Sequence, residues 1–486
     1  MLVHDLPLGD LGLEFSIRDP LHGFVHFNEL EKEIINHHRF QRLRFIHQLA
    51  FTNFVYPAAG HTRFEHSIGV MEVATRIFLR IVTKCKRDII RLYESSLKEE
   101  QFKHEAIRAL QVLRLACLLH DTGHGPFSHA AEALYPVVRK KQYKHEDYSV
   151  KVIMGFEELL KNSAANKKLA KVTKTSPITA SDVASLLDGE IEVGHLHIQF
   201  WSLIKSIVSG QLDADRMDYL LRDSYHAGVM YGHFDLNRVI ESMTLCLAPS
   251  TKPEDPISND LIIALEYDDW LTGESVVMAR RAMFNQVYLH KTRRAFDMML
   301  ALAIRRLRNG KSYPTPDRLE EYLSLDDVSL LEQIRNYKGD GMLLRSAIRD
   351  RQFHRSIGVL NDDELDQQVS SLRIQLHTSG LRTYTDSELL SHAELNDLES
   401  DDAIWVDTGA TFTTYKSDRG SEIRLRDGRS RKASSSREQL RSVPLSHASR
   451  DLKLQDPLRK LSYRVYSVDK LRSVVEKAIV KVGGVV

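Results

Sequence analysis

Cysteine is scarce in this chain, three in 486 residues: Cys85, Cys117 and Cys246. They have neither CxxC spacing nor the density of a disulfide scaffold, which points to packing roles in a reducing compartment. No apolar run approaches the roughly 18 residues of a membrane span. The opening MLVHDLPLGD lacks a basic region followed by an apolar one, so no secretory signal is visible. These absences give the expectation of a soluble, cytoplasmic protein with no membrane partner. Overall charge imbalance is also missing, with a net charge of +1. That balance conceals an asymmetry. Residues 421–486 hold 16 Lys and Arg against seven Asp and Glu, a net of +9, which leaves −8 for the first 420. A basic tail can meet phosphate or nucleic acid, but a solvated basic surface is the reading adopted.

What is present is ordinary globular material, 42% hydrophobic and 27% charged, long enough for two or three domains or for one large helical domain with an appended smaller one. No internal repeat is found. Short strands are expected at 17–21 and 23–27, then helical periodicity over 29–48 and a β-prone edge at 51–56. Helices follow at about 63–83 and 105–120, the second stopped by Gly123, Gly125 and Pro126, with Ser128 as the cap of a short helix. Further helices are expected at 144–160, 181–187, 200–208, 212–222 and 234–246, with a polar, exposed connection at 162–175 between the first two. A strand at 260–267 precedes one long helix over 274–308, and two or three shorter helices fall within 313–355. Past residue 399 the character changes to strands at 403–406, 411–416 and 422–426, a Ser/Arg-rich flexible loop over 429–449, and a last strand and helix at 461–468 and 471–482.

The chemistry gathers in CLLHDTGHGPFSHAAE, Cys117–Glu132, which ends an apolar run with His120 and Asp121 and adds His124, His129 and Glu132. Desolvating so many ionisable groups is unfavourable unless they are paired or bind a cation. A metal or a charged substrate answers that. His66, His120, Asp121 and Asp215 stand at the ends of three separate expected helices. Two imidazoles with carboxylates suit a borderline or hard divalent ion such as Fe, Mn, Zn or Ni, and leave positions open for water or a substrate oxygen.

TRFEHS, then LLHDTGHGPFSHAAE about 50 residues later, then KHED and LDADRMDYLLRD, resemble the HD-domain metal-dependent phosphohydrolases. Within them the chain is most similar to the deoxynucleoside triphosphate triphosphohydrolases, and FQRLRFIHQLAF and FVYPAAGHTRFEHS match that branch as well. The likeness runs from about residue 17 to 308. It implies a mainly α fold with an HD helical core (1–308), and the residue patterns beyond add a helical extension (309–398) and a smaller mixed α+β C-terminal region (399–486). It implies metal ligands His66, His120, Asp121 and Asp215, and catalytic His124, His129 and His145 with Glu132 orienting an imidazole. Arg63, Arg216, Arg280 and Lys291 would bind phosphate. Gln48 and Asp223 would hold the sugar 3′-hydroxyl beside Tyr219, Leu49 would line the base side, and Tyr288 would close against the 2′ carbon, favouring deoxyribose.

The implied reaction converts a dNTP to deoxynucleoside and tripolyphosphate by in-line attack of an activated water at the α-phosphorus, with His129 or His145 protonating the 5′-oxygen. The cofactor would be a divalent metal (Mn, Fe, Zn, Ni or Mg), with a second Mg²⁺ accompanying the nucleotide. The implied partners are the dNTP, a nucleotide effector and further copies of the chain in a dimer or tetramer. Two departures leave base preference and activation open. Leu289 stands where a vertebrate member has glutamine. Of the effector-site pattern, Gln41, Arg44 and Arg238 are matched, but Asn36 replaces an aspartate and EYDDW (266–270) lacks a basic pair. Two alternatives stand beside this reading: another HD phosphohydrolase acting on nucleoside monophosphates, cyclic nucleotides or (p)ppGpp, and a nucleotide- or nucleic-acid-binding protein.

Overall fold

The computed structural model describes residues 11–92, 99–188, 191, 198–249, 257–339, 342–360, 364–391, 395–400, 402–408, 422–426, 440–449 and 463–486. The chain enters through a hairpin of β1 (Phe15–Asp19) and β2 (Gly23–Phe27), with Phe15 opposite Phe27 and Asp19 opposite Gly23. Asp19 Oδ1 accepts the Leu21 and His22 N–H groups at 2.8 and 2.9 Å, closing the turn. Gly23 sits at φ +79°, a conformation that favours glycine. The turn drives His22 inward, where its side chain is 2% exposed.

The periodic stretch 29–48 is not one helix. It divides into Glu29–Ile35, His38–Gln41 and a 3₁₀ turn at Arg42–Phe45. His37 takes an extended ψ of 140° and its ring accepts the Arg39 N–H, so a side-chain cap restarts the helix. The stretch 51–56 is likewise a 3₁₀ turn, Ala50–Phe54, and not a strand; Phe51 stacks on Phe127 at 4.8 Å, a packing partner distant in sequence.

Helix α1 (Arg63–Lys84) starts at a Thr62/Glu65 capping box and packs against α2 (Glu99–Leu119), burying Ile68, Met71, Ile77, Leu113 and Ala116 in one apolar core. Ser128 begins a 3₁₀ turn, Ser128–Leu134, without capping it. Its Oγ donates to the His47 carbonyl at 2.7 Å. Helix α3 (His145–Met154) follows. The expected exposed connection contains α4 (Ala164–Thr173), which buries Asn166, Ala170 and Thr173 and turns its lysines outward. Helices α5 (Ile198–Val208) and α6 (Ala214–Ala227) complete the bundle.

The expected helix 234–246 ends at Ser242, and β3 (Met243–Pro249) then pairs antiparallel with β4 (Ile257–Glu266). The long helix expected over 274–308 is interrupted. It consists of α7 (Trp270–Met283), a π turn at Phe284–Tyr288, and α8 (Lys291–Leu307). The interruption has no Pro or Gly to announce it; His290 leaves the helical region at ψ 132° and caps α8 through its ring. Helix α9 (Asp327–Arg335) lies in the region that follows.

A second sheet, ordered β5 (Arg355–Leu360), β10 (Tyr463–Ser467), β7 (Ala403–Asp407) and β6 (Arg382–Thr385), carries a separate apolar cluster with Leu372, Val406, Val465 and Ile479. The remaining strands, β8 (Arg424–Arg426) and β9 (Ser442–Pro444), extend the β3–β4 sheet, with β8 parallel to β4. Residues 440–449 of the expected flexible loop are therefore structured: Leu440, Leu445 and Ser449 are buried against the helical core or its edge. Residues 429–439, and the strand expected at 411–416, lie outside the described residues. The protein is mainly α, a helical core with a smaller mixed α/β C-terminal part.

Candidate active site

The start of α1, the end of α2 and the start of α6 meet at one point. His66 Nε2 lies 3.0 Å from Asp215 Oδ1 and 3.5 Å from Asp121 Oδ2. His120 Nε2 lies 3.3 Å from Asp121 Oδ1 and 3.7 Å from Asp215 Oδ1. Neither Nε2 makes a hydrogen bond, although both are buried. They converge on the space between the carboxylates, each within ion-pair distance of Asp121 and Asp215. Burial works against protonation of His66, but its contacts with Asp215, Asp218 and Asp121 prevail and raise its pKa to about 10. So strong a negative field on one imidazole, with two orphaned nitrogens and two carboxylates, fits a divalent cation, and His66, His120 and Asp215 form a group of ligand-type atoms within 4.8 Å of one another.

The imidazoles are aimed from behind. His120 Nδ1 lies 2.7 Å from the Cys117 carbonyl, and His66 Nδ1 lies 2.8 Å from Asp218 Oδ2. Asp218 is in turn held by His22 Nε2 at 2.6 Å and by Arg222, whose other arm reaches Asp19 at 2.8 Å. Asp218 is not among the ligands expected from the sequence, and neither His22 nor Arg222 is singled out there. The signal for Asp218 was its place one turn after Asp215 on the same helix; His22 had none.

A second group sits beside the first. The rings of His124 and His145 stack at 3.8 Å, and His129 meets them edge-on at 5.0 and 5.7 Å. His124 Nε2 is 3.4 Å from Asp121 Oδ1. Burial, then the positive charges nearby, push the His124 and His145 pKa values well below the usual histidine value, so both are neutral at pH 7. His129 is exposed and its Nδ1 bonds Glu132 Oε1 at 2.5 Å. Burial raises the Glu132 pKa, but the bond to His129 outweighs it and leaves the carboxyl below its ordinary range. Arg63 donates to the Asp121 carboxylate and, at 2.7 Å, to Ser128 Oγ. It is a neighbour of the ligand-type cluster itself.

Along α6, Asp215, Tyr219 and Asp223 recur every four residues on one face, about 6 Å per step. Asp223 Oδ2 accepts the Tyr288 hydroxyl at 2.6 Å, and the Tyr219 and Tyr288 rings meet edge-on at 6.2 Å. The π turn is what swings Tyr288 onto Asp223. The other carboxylate oxygen lies 2.7 Å from Nε2 of the buried His61, which stacks on His226; sequence reasoning did not single out His61, two positions before Arg63. Arg280 is an electrostatic neighbour of Tyr219, and Gln48 and Leu49 are buried nearby in the turn that pairs with His61.

Arg216 bonds Gln211 at 2.8 Å and lies 3.5 Å from Asp213, at the wall of a cavity of about 240 Å³ shared with Arg424. Lys291 is exposed at the start of α8. Of the effector-pattern residues, Arg44 lies over the Phe64 ring at 3.5 Å and bonds Gln41, while Arg238 pairs with Asp269.

Fold and centre together define a helical hydrolase-type site built from a His…His-Asp…Asp set. Residues 63–222 match the HD domain, and residues 234–380 match the HD associated region. The chain is 32% identical over 367 residues to the uncharacterized protein YwfO of Bacillus subtilis, covering 72% of each chain. It is 32% identical over 319 residues to the uncharacterized protein MJ1154 of Methanocaldococcus jannaschii, covering 66% of this chain and 54% of that one. It is 28% identical over 382 residues to the deoxynucleoside triphosphate triphosphohydrolase SAMHD1 of Gallus gallus, covering 72% of this chain and 57% of that one. The protein belongs to the HD-domain family. Its match spans little more than half the length of MJ1154 and SAMHD1. A crystal structure of a hypothetical protein from Aquifex aeolicus shares the fold, with a TM-score of 0.65 at 23% identity over 96% of this chain and 99% of that one.

Proposed function

We propose that this HD-family hydrolase is a dNTP triphosphohydrolase, releasing tripolyphosphate and a deoxynucleoside. The observation that carries the reading is the face of α6. Asp215 belongs to the ligand-type cluster, and Asp223, eight residues on, holds the Tyr288 hydroxyl at 2.6 Å. About 12 Å separates the two positions along the helix, a span that suits an α-phosphate at one end and a sugar at the other. Tyr219 stands between them.

His66, His120, Asp121 and Asp215 would hold a divalent cation, which when bound stabilises charge on phosphoryl oxygens and lowers the pKa of water. Asp218 fixes the His66 ring so that Nε2 faces Asp215. Arg63 keeps Asp121 in place. The neutral His124–His145 stack adds no positive charge beside the cation. Glu132 engages Nδ1 of His129 and leaves Nε2 to donate a proton to the departing 5′-oxygen. Tyr288, buried and bonded to Asp223, is a rigid wall where a 2′-hydroxyl would stand.

The test is purified protein with each dNTP and NTP, singly and mixed, with Mg²⁺ or Mn²⁺, analysed for tripolyphosphate. Nucleoside monophosphates, cyclic nucleotides and (p)ppGpp run in parallel. Tripolyphosphate from dNTPs alone is the expected result; pyrophosphate or single phosphate as the product rejects it.

A further inference from the structure

The turn that carries His124 and His129 is held in an unfavourable shape. Phe127 and Ser128, consecutive and neither of them glycine, lie in the left-handed region at φ +57° and +52°, where the Cβ of an L-residue crowds the backbone. Something outside the turn must over-determine it.

That something comes from the associated region. Asp327, 1% exposed, accepts the Phe127 N–H on Oδ1 at 2.6 Å. Its Oδ2 accepts the His47 backbone N–H at 2.8 Å and lies 2.6 Å from His47 Nδ1. One carboxylate thus ties the catalytic turn to the segment bearing Gln48. It is not needed as the helix cap, because Asp326 Oδ1 already accepts the Ser329 N–H at 2.7 Å. The residues before it grip the same turn. The Tyr322 hydroxyl donates to the Gly123 carbonyl at 2.7 Å. Arg42 donates to the His124 carbonyl at 2.9 Å while two of its other nitrogens hold the Leu325 carbonyl at 3.0 and 2.6 Å.

We infer that Asp327 is a positioning residue for the hydrolytic reaction: it holds the left-handed Phe127–Ser128 turn so that His124 and His129 face the ligand-type cluster, which makes the start of α9 part of the catalytic apparatus. This rests on the phosphohydrolase reading above. Asp327, like Tyr288, lies in the associated region at 234–380 and outside the HD match at 63–222. The Asp327→Asn side chain keeps its volume and one acceptor. It presents an amide N–H either to the Phe127 N–H or to the His47 donors, so at least one tie is lost.

The test uses the full-length, metal-loaded protein. Three measurements are made on the wild type, Asp327→Asn and Ile334→Ala, which truncates a buried side chain at the far end of α9. They are amide hydrogen exchange over 121–134, metal content, and kcat and KM for the dNTP turned over best. Asp327→Asn should exchange faster over 121–134 and lose about tenfold or more in kcat, since a shift of about 1 Å at a reacting group costs up to 10²-fold. Metal content should be unchanged and KM altered by no more than about threefold. Ile334→Ala should lower the melting temperature without moving exchange over 121–134 or kcat. Wild-type exchange in Asp327→Asn, or faster exchange with kcat unchanged, overturns the inference. If the wild type turns over no dNTP, the proposed function has failed and the positioning role falls with it. The exchange comparison then decides separately whether Asp327 clamps the turn.

Discussion

Asp218 Oδ2 lies 2.8 Å from Nδ1 of His66, and the opposite nitrogen of the same ring lies 3.0 Å from Asp215. Two carboxylates thus bracket one imidazole, one buried behind it and one at the mouth of the cluster. Asp218→Asn should weaken divalent metal binding by about 10- to 100-fold, the usual effect of removing an outer carboxylate, with the helical signal retained. Titration with Mn²⁺ followed by calorimetry measures it, and wild-type affinity would contradict the aiming role. Gly69→Ala should act similarly, because a Cβ there overlaps the Asp218 carboxylate and the Arg222 guanidinium.

Removing a ligand-type residue and removing a proton donor should be separable. His120→Ala or Asp121→Ala should lose both metal and turnover. His129→Ala should keep the metal, since His129 lies with Glu132 on the exposed side, and lose about 10²- to 10⁴-fold in kcat. Elemental analysis beside steady-state kinetics distinguishes the two. A metal-free His129→Ala protein would assign that histidine to the wrong group.

Tyr288 meets Asp223 through its hydroxyl and fills space through its ring. Tyr288→Phe should keep discrimination against ribonucleotides, and Tyr288→Ala should lower the dNTP-to-NTP ratio of kcat/KM by about tenfold or more, as expected when a steric term of 1–3 kcal/mol is removed. A competition assay with dGTP and GTP reads the ratio directly. An unchanged ratio in Tyr288→Ala would place the sugar elsewhere.

His47 supplies a pH-dependent contribution to stability. Its hydrogen bond to Asp327 raises its pKa above the usual histidine value despite the opposing effect of burial, with Glu65 adding to the field. A base whose pKa is raised by folding stabilises fully below its unfolded value, about 6.5, and that contribution fades as pH rises through the folded value. The melting-temperature gap between wild type and His47→Gln should therefore be widest below about pH 6.5 and narrow as pH rises through the raised folded value. A gap that widens with pH would reverse the assignment.

Much of the centre was legible as spacing. An apolar helix that ends in His120-Asp121 must deliver both side chains to its own terminus, and the helices expected from about 63 and 212 put His66 and Asp215 near their starts. Tyr219 and Asp223 came from the family resemblance alone, and that they share one face of α6 with Asp215 is what the folded helix adds. What could not be read were breaks with no local cause. The π turn before α8 contains no Pro or Gly, and the Phe127–Ser128 turn uses residues that avoid left-handed backbone when left to themselves. The helix α4 was hidden by its lysines, since composition shows the solvated face more plainly than the narrow buried one.

Local sequence, then, determined which residues could bear ligands and at which helix ends, because backbone periodicity and capping act over a few positions. Only the tertiary structure decided how they are aimed. His22 behind Asp218, His61 behind Asp223 and Asp327 beneath Phe127 are joined to their partners by hydrogen bonds across 196, 162 and 200 positions of chain. A buried polar group takes whatever partner packing brings within about 3 Å, and that choice belongs to the folded chain as a whole.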